Sequence, residues 1–154
     1  MSDKIWNDIK NELFNNALIK HTEPMANKID GVMVIYEEAK ECLEAIFNHQ
    51  GDDNKDYTEK IYHEAIQTCA MCIRYYQDIE KWDIDKAIIY FDDFIVPFRS
   101  KYTTLQEATH NLLTAMMRLY SIDDVNFNPI DYTLKITFGI LDKIESERSL
   151  NVLG

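Results

Sequence analysis

Glycine and proline are scarce, at four and three residues in a chain of 154. Together they fall well under half of the usual share of about 12%. β-Sandwiches and barrels need many turn residues, and Rossmann or P-loop folds need glycine-rich loops, so both classes are disfavoured. Cysteine is rare and odd in number, at three. A chain of this length needs no disulfide or metal staple to fold, so a reducing, cytoplasmic setting is the default expectation. Long uncharged apolar runs are missing, since no stretch reaches the roughly 18 residues of a membrane span. The opening Met-Ser-Asp-Lys-Ile-Trp has no basic segment leading into an apolar run, so no secretory leader is expected. Basic residues are outnumbered, 16 against 27 acidic ones, for a net charge of −11. Such a chain repels phosphate backbones and anionic membranes, which sets aside direct nucleic-acid binding and membrane attachment.

What is present is an ordinary globular balance, 46% hydrophobic and 28% charged, arranged with helical periodicity. The pattern predicts an all-α bundle of about five to six helices. Ile5, Ile9, Leu13 and Phe14 give an apolar face to a first helix from about Asp3 to Leu18, with Ser2 or Asp3 as its N-cap. His21-Thr22-Glu23-Pro24 breaks it. A second helix is expected from about Met25 to His49, carrying Val32, Ile35, Ala39, Cys42, Leu43 and Ile46. Gly31 near its start costs about 1 kcal/mol relative to alanine. After a loop at residues 50–54, Asp56 and Glu59 have capping-box spacing for a third helix reaching about Trp82. That helix is apolar on most of its circumference, which marks it as central and buried.

Asp83 can cap a fourth helix, which Pro97 ends or kinks. Thr104 and Glu107 again have capping-box spacing, for a fifth helix bearing Leu105, Leu112, Leu113, Met116 and Leu119. Asn128-Pro129 reads as N-cap and first residue of a last helix, with Asp131 favourable in its first turn. Tyr132, Leu134, Ile136 and Phe138 alternate with polar residues like a strand. The Asn-Pro start and the lack of a partner strand favour helix there.

Chemistry concentrates on the second and third helices. Glu37, Glu38, Glu41 and Glu44 lie three or four apart, where like charges cost about 0.2–0.5 kcal/mol per pair. A solvated acidic face explains them, and so does a site for hard Mg²⁺, which prefers carboxylate oxygens. The third helix carries a narrow polar stripe of Lys60, Glu64, Gln67, Arg74 and Asp78 on an otherwise apolar surface. A short loop makes the two helices antiparallel neighbours, so Glu38 and Glu41 can face Glu64 and Gln67. Three carboxylates and an amide oxygen could then hold Mg²⁺, while Lys60 and Arg74 suit phosphate oxygens; Arg74 also stands four residues before Asp78, the spacing of an ordinary helical ion pair.

Glu37-Glu38-Ala39-Lys40-Glu41, followed by Glu64-Ala65-Ile66-Gln67, resembles the signature of the MazG-like all-α nucleotide pyrophosphohydrolases. Their pattern is Glu-Glu-x-x-Glu, a variable gap, then Glu-x-x-Asp. The apolar run from Val32 to Tyr36 and the helix from His63 to Arg74 are similar in context. The resemblance covers roughly residues 5 to 80. It implies a helical hairpin core over 1–82 and Mg²⁺ bound at the positions of Glu38, Glu41, Glu64 and Gln67. It also implies a nucleoside triphosphate substrate, split into monophosphate and pyrophosphate, with Glu37 or Glu38 orienting the attacking water. Gln67 departs from the family's Asp and removes one negative charge from the site.

Residues 83–154 have no such match. Asp92-Asp93 and Glu107-x-x-His110 faintly echo the first half, so this segment is a degenerate repeat or an independent helical extension. Cys69-Ala-Met-Cys72 lies on an apolar face with no second ligand pair, which reads as core rather than zinc site. Trp6, Phe14 and Tyr36 could stack on a nucleobase, although aromatics at helical spacing are more often core. Two functions are therefore expected. One is an Mg²⁺-dependent nucleotide-binding enzyme, acting as a homo-oligomer. The other is a non-catalytic acidic protein, suited to a phage-encoded inhibitor, that uses the same scaffold to bind a partner protein.

Overall fold

The computed structural model describes residues 3–16, 23–49 and 55–153. Among these residues it is all-helical, with six α-helices and no strand. Helix α1 is Asp3–Asn11 and runs into a π-turn at Glu12–Asn16. Helix α2 is Lys28–His49 and α3 is Lys55–Asp78. Helix α4, Ile84–Tyr90, continues through a π-turn and a 3-10 turn to Phe98. Helix α5 is Ala108–Arg118, and α6 is Pro129–Leu153. No helix among the described residues is long and apolar enough to cross a membrane.

Local sequence sets most boundaries. Asp83 Oδ1 accepts from the Lys86 amide at 2.7 Å and starts α4. Pro97 falls in the 3-10 turn that ends this segment. Glu107 closes its capping box by accepting from the Thr103 and Thr104 amides, at 2.7 and 3.4 Å. Asn128 Oδ1 accepts from the Ile130 and Asp131 amides, at 3.0 and 3.2 Å, and Pro129 is the first residue of α6. Each cap satisfies amides that the first helical turn leaves without partners.

Two boundaries differ from expectation. Helix α2 begins at Lys28 rather than near Met25, because Asn27 caps it through the Asp30 amide at 2.9 Å. Helix α3 ends at Asp78 rather than near Trp82. Lys81 there takes a left-handed backbone with φ 61°, and the Trp82 amide turns back to the Tyr76 carbonyl at 3.0 Å. The expected end of the first helix at Leu18, and the Ser2 cap, lie outside the described residues, as do His21 and Thr22. The Asp56 side chain lies outside them too.

Helices α2 and α3 form the most extensive packing pair, and α3 is sandwiched between α2 and α6. Helix α5 covers α2 and α6, and α1 rests on α3. One continuous buried cluster extends from Ile5 to Ile144, so the first 82 residues and the rest share a core. Phe14 and Leu113, expected on apolar inner faces, are instead exposed. The alternation from Tyr132 to Phe138 is helical. Leu134, Ile136, Phe138 and Ile140 are all buried, because α6 is enclosed on most of its circumference. Thr133 and Thr137, also buried, donate their hydroxyls to the carbonyls of Pro129 and Thr133, at 2.8 and 2.9 Å. Cys42, Cys69 and Cys72 are buried free thiols, as expected of small core residues.

Candidate metal centre

The α2–α3 hairpin is antiparallel: as numbers rise along α2, their partners on α3 fall. Gly31 sits against Tyr75, Glu38 lies by Gln67, and Glu41 lies by Glu64. Helical spacing puts Glu38 and Glu41 on one face of α2, and Glu64 and Gln67 on the facing stripe of α3. One carboxylate oxygen from each of Glu38, Glu41 and Glu64 lies within 4.8 Å of the other two. Glu38 is 2% exposed and Glu64 9%, while Glu41 is half-buried.

Carboxylates this deep need compensating partners. Gln67 supplies them in the amide orientation that satisfies all its neighbours. Its nitrogen donates to Glu64 Oε2 at 3.0 Å and to Glu38 Oε2 at 3.1 Å. Its oxygen accepts from His63 Nε2 at 3.1 Å. His63 was not singled out in the sequence as a member of this group. Its place four residues before Gln67 was the available signal. Burial raises the Cys42 thiol above its ordinary range, and the Glu64 charge adds to the effect.

The donor set suits a hard divalent cation. It offers three carboxylates, with a fourth oxygen available if the Gln67 amide turns over. The oxygens lie within 4.8 Å of one another, wider than the roughly 4 Å between opposite ligands of an octahedral Mg²⁺ ion, so the side chains would draw together to hold one.

The remaining expected residues are placed differently. Glu37 is exposed on α2, outside the cluster. Lys60 is exposed on α3, one turn from Glu64. Arg74 is buried two turns beyond Gln67. Its Nε donates to Asp78 Oδ2 at 3.2 Å, and its terminal NH₂ donates to the Glu23 carbonyl at 2.5 Å. Asp78 also accepts from the Met25 amide at 2.9 Å. This clamp fastens residues 23–25 against α3. Trp6 packs on Phe138 and donates to Asp92, while Tyr36 packs on Tyr120. Both rings thus have protein neighbours. Asp92 and Glu107, the second-half acids that echo the motif, make a tryptophan contact and a helix cap.

Comparison of the chain with protein-family models, with curated proteins and with solved structures gave no match.

Proposed function

We propose that this chain is an Mg²⁺-dependent nucleotide pyrophosphohydrolase whose cation is held by Glu38, Glu41 and Glu64. The observation that carries this reading is the convergence of three carboxylates from two antiparallel helices, two of them nearly enclosed. The resemblance of their spacing to the MazG-like signature supports it. Mg²⁺ at this place would neutralise phosphate oxygens and lower the pKa of a water. In the reaction a water oxygen attacks the α-phosphorus, the bond to the bridging oxygen breaks, and pyrophosphate leaves. Of the two acids expected to orient that water, Glu38 belongs to the cluster and Glu37 stands in solvent beside it. Lys60, exposed one turn from Glu64, would meet the outer phosphates.

A second reading has its own support. The Gln67 amide bridges Glu38 and Glu64 with two donated hydrogen bonds, which stabilises the pair with no ion. A hairpin satisfied in this way, on a chain of net charge −11, suits a non-catalytic scaffold that docks on a basic protein surface. Two measurements separate the readings: calorimetric titration with Mg²⁺, and pyrophosphate release from a panel of nucleoside triphosphates. Mg²⁺ binding with release supports the hydrolase. Absence of both at millimolar ligand removes it and leaves the scaffold.

A further inference from the structure

Val34 lies one turn before Glu38 on α2, and Met71 lies one turn after Gln67 on α3, so both share the cluster's face. Beyond them a cavity of about 360 Å³ opens, lined by Glu23, Met25, Asp30, Val34, Met71 and Arg74 among others. Its size falls in the range of roughly 300–1,000 Å³ typical of small-ligand sites. Asp30 lies eight residues from Glu38, about 12 Å along the helix axis. That is a suitable span for a ribose and a base reaching away from phosphates at the cluster.

We infer that this cavity receives the nucleoside of the substrate and favours a base carrying an exocyclic amino group. The inference rests on the nucleotide reading above. Val34 gives the cavity an aliphatic edge, and the Met25 and Met71 thioethers, 7% and 2% exposed, form its floor. Two carboxylates, Glu23 and Asp30, stand at the lining, and carboxylates accept hydrogen bonds from N–H groups. Arg74 builds this wall by holding the Glu23 carbonyl, while its partner Asp78 holds the Met25 amide. Asp30 braces the other end, where its Oδ2 accepts from the Ala26 amide at 2.9 Å. Adenine and cytosine present an amino group to such acceptors. Uracil presents a carbonyl in its place and meets a carboxylate unfavourably.

The test uses methionine methyl groups labelled with ¹³C in the full chain. Cytidine, adenosine and uridine monophosphates are titrated without added cation, and the same samples are assayed for pyrophosphate release with Mg²⁺ and triphosphates. The Met25 and Met71 methyl signals should shift while that of Met117, exposed on α5, stays. The amino-bearing nucleotides should bind about tenfold more tightly than uridine monophosphate, as expected for one charge-assisted hydrogen bond. Val34→Phe should abolish the methyl shifts and leave Mg²⁺ affinity within about twofold. Asp30→Asn, which keeps the oxygen facing Ala26, should erase the base preference. Silent Met25 and Met71 signals, or equal affinity for uridine and cytidine monophosphates, would overturn the inference. Methyl shifts without pyrophosphate release keep the cavity and remove the hydrolase. Release with silent methyls keeps the hydrolase and removes the cavity.

Discussion

The Gln67 amide nitrogen lies 3.0 Å from Glu64 Oε2, one turn back along α3. It also reaches Glu38 across the hairpin, so the position that joins the two helices is the one where the chain differs from the MazG-like signature that its spacing resembles. An amide there makes the metal-free cluster self-consistent. A carboxylate there would make it depend on a cation.

Gln67→Asp should therefore act in opposite directions with and without metal. In a chelator the variant loses two hydrogen bonds and adds a negative charge beside Glu38 and Glu64. Its stability should fall by about 1–3 kcal/mol. In excess Mg²⁺ it should gain more than wild type, since a site at one hundred times its Kd adds about 2.7 kcal/mol. Thermal unfolding of both proteins, in chelator and in Mg²⁺, measures this. A variant equally destabilised in both conditions would count against the metal centre.

The hairpin and the six helices were legible because the 3.6-residue period and the caps act locally. Asp83, Glu107 and Asn128 each satisfy amides within three or four residues of themselves. What escaped the sequence is set by distant contacts. Helix α3 stops at Asp78 in a turn with no glycine or proline to announce it, where Lys81 is left-handed and the Trp82 amide reaches the Tyr76 carbonyl, and Asp78 itself holds the Met25 amide from across the chain. Arg74 had two expected partners, phosphate and the Asp78 carboxylate four residues on, and the structure shows the Asp78 pair together with the distant Glu23 carbonyl. No periodicity shows that kind of burial. The spacing placed Glu38, Glu41, Glu64 and Gln67 near one another, while Glu37 and Lys60 share the sequence motif and stripe yet face solvent. The stretch from Tyr132 to Phe138 was read as helix from its Asn-Pro start, and it is helical, although its periodicity alone was ambiguous. A helix buried nearly all round loses the one-sided pattern that identifies helices.

Gly139 provides a stability test independent of the site. The chain at Ser100 crosses α6 here, with the Ser100 amide donating to the Lys135 carbonyl at 3.0 Å. A Cβ at Gly139 would sit 2.3 Å from the Ser100 carbonyl oxygen, a backbone atom. At Gly31 the nearest obstacles are side chains, the buried Tyr75 ring at 2.7 Å and the Met25 sulfur at 3.1 Å, rather than backbone. Gly139→Ala should thus cost about 2–3 kcal/mol and Gly31→Ala about 1, net of alanine's better helix propensity. Urea unfolding midpoints give the order, and equal costs would contradict it.

Asp131 anchors the start of α6. The Tyr76 and Tyr90 hydroxyls donate to its two carboxylate oxygens, and Asn128 Nδ2 donates to Tyr76 Oη at 3.0 Å. The carboxylate also faces the positive end of the α6 dipole. Asp131→Asn keeps the shape but removes one charged acceptor and the charge at the helix start. It should cost about 2 kcal/mol, and Tyr90→Phe about 1–2. Calorimetric unfolding of the two single variants and the double variant should show costs that fail to add, since both act on the same bond.

The same tyrosines set the protein's response to alkali. Burial pushes Tyr76 far above its ordinary range, and the Asp131 charge and hydrogen bond push it further. Tyr90 is raised by burial and the Asp131 bond, and Tyr62 by burial and its bond to Asp8. Tyr75 is pushed up to about 12, mainly by burial. In the unfolded chain all four ionise near pH 10. Above that pH the unfolded state releases protons that the folded state retains, so stability falls as pH rises. Below pH 10 the contribution of these four groups is complete and flat. The buried thiols of Cys42, Cys69 and Cys72 are raised by burial as well and ionise near pH 8.5 once unfolded, so unfolding free energy should begin to fall above about pH 8 and steepen from about pH 10 toward pH 12 as the tyrosines join. Tyr76→Phe removes the most strongly shifted group and should flatten that decline. A slope that is unchanged in Tyr76→Phe would mean that Tyr76 ionises alike in the folded and unfolded chain, against its being raised by burial and Asp131.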